Sequence, residues 1–264
     1  MSSQLQTRVL SAAVLLALFL PAVFAGGVWF GGLMALAAAI ATIELARLAR
    51  GAGHLTTPIL PVLMALLAFM VIRWPAQAAL VPGMLALMLL GLGMCVLWPA
   101  ANSITGWALG AAGALYIGLC AGYLAALREL PNGIWWLAMA LVPTWIADSG
   151  AYFVGRRFGR HKLAPVISPG KTWEGYLGGV VAGALGGAVV GAISPLGVGH
   201  GLACGVLVGA LGVLGDLAES LFKRQANAKD SGHLIPGHGG VFDRIDSLLW
   251  AGVIVYYWSL IAGG

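Results

Sequence analysis

Asp216, Glu219, Ser220 and Lys223 stand at i, i+3, i+4 and i+7, which puts them on one face of a helix. Asp243 and Asp246 repeat the i, i+3 relation at a predicted helix start, where acidic side chains are favoured. Between them, Pro236-Gly237-His238-Gly239-Gly240 must turn sharply. The turn brings Asp216, Asp243 and Asp246 within reach of one another. Carboxylates without cysteine form a hard oxygen donor set of the kind that holds Mg²⁺, with substrate phosphates completing the shell. Clustered carboxylates repel unless a cation intervenes, which favours a metal. The alternative is an ion-pair network with Lys223, Arg224, Lys229 and Arg244. His238, inside the glycine turn, is placed to contact a phosphate or orient an aspartate. His233 reads as structural or solvated, and His54, His161 and His200 carry no assignment.

A second polar stretch runs from Asp148 to Gly175 and holds Arg156, Arg157, Arg160, Lys162 and Lys171. It reads as a structured inside loop, because it is rich in Gly and Pro and too polar to cross a membrane. Ser168 to Gly175 has the form of a helix start. Ser168, Thr172 and free backbone N–H groups there suit an anion, and Lys171 adds a point charge. The glycine pattern of a Walker loop is absent. Taken alone, the basic residues are equally explained as a topology signal.

The elements that must position these residues are membrane spans. Of 264 residues, 60% are hydrophobic and 9% charged, against roughly 25% charged in soluble domains. Nine candidate spans follow at 9–27, 29–47, 58–74, 79–98, 104–126, 133–154, 176–196, 200–222 and 243–262. The fold class is all-α and polytopic. The first span reads as retained rather than as a cleaved leader. With the N-terminus inside, 12 of the 14 Lys and Arg fall on the inner side. Only Arg73 and Arg128 fall outside, so the chain reads as N-in and C-out. The net charge of +5 is then a feature of one membrane face, and no nucleic acid is expected. Cys95, Cys120 and Cys204 lie far apart in apolar stretches and give zinc no ligand set.

Organisation follows the same division. Residues 1–130 read as N-terminal spans. Residues 131–264 read as the catalytic region, with inside loops at 155–175 and 223–242. Gly175, Gly179, Gly183, Gly187 and Gly191 recur every four residues, and Gly201, Gly205 and Gly209 repeat the pattern. This spacing predicts two helices in close backbone contact, with each other or with a partner subunit.

At these residues the chain resembles the phosphatidate cytidylyltransferase family, the CDP-diacylglycerol synthases. That family's signature runs S-x-x-K-R-x4-K-D, a spacer, then P-x-H-G-G-x-x-D-R-x-D. Ser220, Lys223, Arg224, Lys229, Asp230, Pro236, His238, Gly239, Gly240, Asp243, Arg244 and Asp246 meet it without departure. A D-x-x-A-Y-x-x-G-R block at Asp148 and an S-P-x-K-T-x-E-G block at Ser168 are also similar. The likeness covers about the last 120 residues by motif. The first half matches only in being apolar spans.

The resemblance implies a nine-helix homodimer that transfers CMP from CTP to phosphatidic acid. It implies Mg²⁺ on Asp216 and Asp243, with a monovalent cation such as K⁺ alongside. The block from Ser168 through Lys171, Thr172 and Glu174 is then the nucleotide-contacting element. On this reading Lys223, Arg224 and Arg244 serve the lipid phosphate or the leaving pyrophosphate. Asp246 orients Arg244 or the metal shell, and Asp148 contacts nucleotide or metal through water. Ser220, Lys229, His238, Gly239 and Gly240 complete the substrate-binding set. A compact chain without an added soluble domain fits a bacterial plasma (inner) membrane, with the active site facing the cytoplasm. A transporter is the main rival and predicts ionisable residues near mid-membrane, whereas these crowd one edge. The D-x-x-D-G-x-x-A-R motif of CDP-alcohol phosphotransferases is not found. A lipid kinase related to the polyprenol kinases and a structural scaffold are the remaining readings.

Overall fold

The computed structural model describes residues 3–77 and 79–263. Its helices are α1 (Ser3–Ala25), α2 (Gly27–Gly51), α3 (Ile59–Arg73), α4 (Leu80–Leu97) and α5 (Ser103–Leu127). They continue with α6 (Gly133–Phe158), α7 (Trp173–Ile193), α8 (Val198–Leu211), α9 (Val213–Gln225) and α10 (Phe242–Ile261). A short antiparallel hairpin, β1 (Lys162–Ala164) with β2 (Ser168–Thr172), stands between α6 and α7. The protein is therefore an all-α polytopic membrane protein carrying one small hairpin.

Among the described residues, seven helical segments are long and apolar enough to cross a membrane. Gly212 has helical backbone angles (φ −60°, ψ −30°), so α8 and α9 count as one such segment, Val198–Gln225. Two of the nine expected spans fall short of that test. Helix α3 has 15 residues, about 22 Å at the α-helical rise, against a hydrocarbon core of roughly 30 Å. Helix α10 opens with Asp243, Arg244 and Asp246 in its first turns. The expected loop from Asp148 also begins too early. Helix α6 runs on to Phe158, because Ala151 to Phe158 contains no proline and its charges suit a helix C-terminus.

The chain forms two compact units, Met1–Ala125 with Phe222–Ile245, and Ala126–Leu221 with Asp246–Gly264. In the first unit, Met64, Ala65, Ala111 and Ala114 form a buried cluster between α3 and α5. Small residues make this possible: a Cβ on Gly118 would collide with the Ala65 carbonyl, and one on Gly110 with Pro61. The 223–242 segment thus packs into the unit that holds the N-terminal helices.

In the second unit the glycine stripe of α7 divides its work. Its first part meets α6, with Gly175 against Ala151 and Gly155, and Gly179 against Ala147. Its later part meets α8: Gly183 lies on Gly205 and Gly209, and Gly187 lies on Gly201 and Gly205. The opposite face of α7 presents Leu177, Val181, Leu185, Val189 and Ile193, each exposed by 60–66%. A bilayer solvates such a stripe, whereas helix packing in lipid needs the small side. Gly187→Ala would press a methyl onto the Gly201 carbonyl. It is expected to cost about 1–3 kcal/mol, the usual range for overpacking, and to lower the thermal midpoint of the detergent-purified protein.

Candidate active site

In the Ala126–Leu221 unit, the β hairpin delivers Lys171 to helix α9. Lys171 Nζ donates to Asp216 Oδ2 at 2.6 Å, and Ser220 Oγ donates to Asp216 Oδ1 at 3.2 Å. The Ser220 contact is the i, i+4 relation that the helical spacing predicts. Asp216 is 34% exposed and Lys171 25%, so the pair stays accessible to solutes. Asp148 on α6 lies within electrostatic range of both. On the other side, a Cβ on Gly215 would strike the Asp246 carbonyl and Trp250. A glycine beside Asp216 thus lets α10 approach at Asp246, whose Oδ1 accepts from the Ser247 N–H at 2.7 Å.

Two predicted substrate contacts are engaged in building the hairpin. Thr172 is the N-cap of α7, its hydroxyl accepting from Gly175 N–H at 3.1 Å. Glu174 Oε2 accepts from Arg160 N–H at 3.0 Å, and Glu174 Oε1 lies 2.6 Å from His161 Nδ1. These bonds close the base of the hairpin and aim Lys171. Ser168 begins β2 opposite Ala164, and Lys162 Nζ donates to the Pro169 carbonyl at 2.7 Å.

In the unit containing Phe222–Ile245, Asp243 organises the second segment. Its Oδ2 accepts from Ser231 N–H, Ser231 Oγ and Gly240 N–H, each at 2.8 Å. Its Oδ1 accepts from Lys223 Nζ at 2.7 Å, and the side chain is 6% exposed. The expected sharp turn is present. Gly237 (φ +76°) and Gly239 (φ +85°) take left-handed angles that favour glycine. Ile235 and Gly239 pair across the turn. A Cβ on Gly239 would sit 2.7 Å from Asp243 Oδ2. Gly239 and Gly240 are therefore required so that backbone can close on a carboxylate. Arg224 donates to the Ala228 carbonyl at 3.4 Å. Lys229, His238 and Arg244 line a polar cleft of about 630 Å³.

Sequence reasoning missed the residue beneath this turn. Glu44 of α2 is 2% exposed and accepts from Ser231 Oγ, Val241 N–H and Phe242 N–H at 3.0, 3.0 and 2.8 Å. It caps the start of α10 and holds the Ser231 hydroxyl that also meets Asp243. An acid in an otherwise apolar span was the available signal. Glu44→Gln turns an amide N–H₂ toward these donors. The expected cost is about 1–3 kcal/mol, read as a lower thermal midpoint in detergent.

The ion-pair reading of the carboxylates is thus met at Asp243 by Lys223. At Asp216 the partner is Lys171, outside the network expected from sequence. Among the described residues, no group of three or more His, Cys, Asp or Glu side chains forms a ready metal cage. The donor chemistry nevertheless fits Mg²⁺, which uses one or two carboxylates plus phosphate and water. Asp216 and Asp243 are both oxygen donors already placed against a cation, the ammonium of a lysine.

A profile described as "Cytidylyltransferase family" matches residues 6–262. A Bacillus subtilis protein named phosphatidate cytidylyltransferase is 41% identical over 147 residues, 54% of this chain and 55% of that protein. A Haemophilus influenzae protein of the same name is 46% identical over 44% of this chain and 43% of its own length. These two matches span about half of each relative. A Staphylococcus epidermidis protein of that name is 33% identical over 93% of this chain and 95% of its own. Since both the profile and this last match run nearly from end to end, through both carboxylate centres, the chain belongs to the cytidylyltransferase family.

Proposed function

We propose that the protein transfers CMP from CTP to phosphatidic acid, giving CDP-diacylglycerol and pyrophosphate for phospholipid synthesis. The observation that carries this reading is the pair of lysine-held carboxylates, Lys171–Asp216 and Lys223–Asp243. A phosphate oxygen of the lipid attacks the α-phosphorus of CTP. The bond from that phosphorus to the bridging oxygen breaks, and pyrophosphate leaves. The substrate supplies the nucleophile, so the protein's task is positioning and charge neutralisation.

Asp216 and Asp243 are the carboxylates assigned to Mg²⁺, with K⁺ as a companion cation. When bound, the metal neutralises phosphate charge and favours departure of pyrophosphate. Lys171 and Lys223 hold the two carboxylates in place beforehand, and each ammonium would turn to a phosphate oxygen of the bound substrate. Asp148 tightens the field at Lys171. Asp246 and Arg244 extend the polar lining along the first turns of α10. The cytoplasmic side of a bacterial plasma membrane is the proposed setting, with the N-terminus inside, because 12 of 14 Lys and Arg then share the face that meets CTP. A homodimer is the proposed assembly, carried by the family resemblance.

The test is incubation of the purified protein with phosphatidic acid, Mg²⁺ and each of the four ribonucleoside triphosphates. CMP-lipid and pyrophosphate formed from CTP, and lost on chelation, are the expected result. Transport of a solute into liposomes by a folded protein that makes no nucleotide-lipid would overturn it.

A further inference from the structure

Arg8 reads from sequence as nothing more than a topology charge, yet the structure places it on α1 against the turn that carries His238. Ser11, one turn along α1, has its Oγ 2.9 Å from the Pro236 carbonyl and 2.9 Å from His238 Nδ1. A Cβ on Gly237 would lie 2.8 Å from Arg8 Cγ, so bare backbone is what lets the turn lie on this helix. The resulting cleft of about 630 Å³ is lined by Arg8, Lys229, Asp230, His233, His238 and Arg244. Three permanent cations face one carboxylate there, and two imidazoles add further donors. Such a lining is built for an anion of more than one charge.

Helix α1 also says which anion. It presents Leu5, Val9, Leu10, Val14 and Leu18 at 46–67% exposure, the clothing of a helix bathed in lipid. Arg8 sits in the first two turns of that span, where a headgroup lies while its tails run along the apolar side. A nucleotide has no use for such a wall. We infer that Arg8 and the His238 turn form the subsite for the phosphomonoester of the acceptor lipid, with Ser11 positioning His238. This inference rests on the proposed reaction and adds a specificity-determining residue to it. A phosphomonoester carries up to two charges and exposes three oxygens, whereas a phosphodiester carries one. The cleft is therefore selective for phosphatidic acid over bulk anionic lipid.

The experiment uses the full-length protein in mixed micelles with wild type, Arg8→Ala and Arg8→Lys. Arg8→Ala is expected to raise the KM for phosphatidic acid roughly 10- to 100-fold, as fits loss of a charged hydrogen bond. The KM for CTP and the thermal midpoint stay unchanged, and Arg8→Lys recovers part of the loss. In parallel, native mass spectrometry without nucleotide compares retained phosphatidic acid with phosphatidylglycerol. Selective retention by wild type and its loss in Arg8→Ala support the subsite even if no CDP-lipid forms, in which case the reaction is what fails. An unchanged KM for lipid, or a rise confined to CTP, overturns the inference and leaves the reaction standing.

Discussion

Asp243→Asn is expected to abolish CMP transfer and to destabilise the protein at once. Three N–H donors converge on this carboxylate, from Ser231, Gly240 and Lys223 Nζ, and it shares the single Ser231 hydroxyl proton with Glu44. Any orientation of an amide turns its N–H₂ toward some of them. Lys223, at 13% exposure, also loses the 2.7 Å contact with this carboxylate. Breaking a buried pair from one side costs about 3–5 kcal/mol, a large part of the roughly 5–15 kcal/mol that keeps a domain folded. The measurement is a thermal scan of purified protein beside an assay of pyrophosphate release. The double variant Asp243→Asn with Lys223→Met separates the two roles. Removing the ammonium as well should restore part of the midpoint, since the pair is coupled. It should not restore turnover. Recovery of turnover along with stability would show that Asp243 serves the fold alone.

Asp216→Asn should have the opposite balance, with turnover lost and stability kept. Its partner Lys171 is 25% exposed and Asp216 itself 34%, so solvent screens the pair. Exposed pairs of this kind are worth about 0–1 kcal/mol. Asn still accepts from Ser220 Oγ, which preserves the local helix contact. What vanishes is the negative charge that holds Lys171 and that, on the proposed reading, would hold Mg²⁺. Loss of one preorganised electrostatic group costs on the order of 10²–10³ in turnover, and loss of the proposed metal ligand would add to that. The check is initial rate against Mg²⁺ concentration, with the midpoint recorded on the same sample. A near wild-type rate at ordinary Mg²⁺ would remove Asp216 from the metal role. Together the two variants would separate a carboxylate needed for structure and turnover from one needed for turnover alone.

Much of this arrangement is legible in the residues themselves. The four-residue glycine repeat predicts close helices, and Gly187 does meet Gly201 and Gly205. The repeat does not reveal that its first members, Gly175 and Gly179, serve α6 instead. Periodicity names a face without naming its partner. The Ser220–Asp216 contact follows from i, i+4 geometry, and the sharp turn at Gly237 to Gly239 follows from glycine's access to positive φ. The helix through Phe158 was not legible, because Gly155, Arg156 and Arg157 read as loop polarity when they belong to a helix end.

The long-range partners lie beyond any local pattern. Lys171 meets Asp216 across 45 residues, and Glu44 reaches Phe242 across 198. No spacing rule covers such separations. Burial decides the second, since a carboxylate in an apolar interior must find donors wherever the fold brings them, whereas the first is set by the hairpin that carries Lys171 to α9. By itself the sequence determined the chemistry available, the membrane as solvent and the residue types that gather at one edge. Only the tertiary structure decided that Glu44 underpins the glycine turn, that Lys171 and Lys223 each hold a different aspartate, and that Arg8 joins His238. Composition and periodicity act within a helix, whereas the satisfaction of buried charge is settled between elements that only folding brings together.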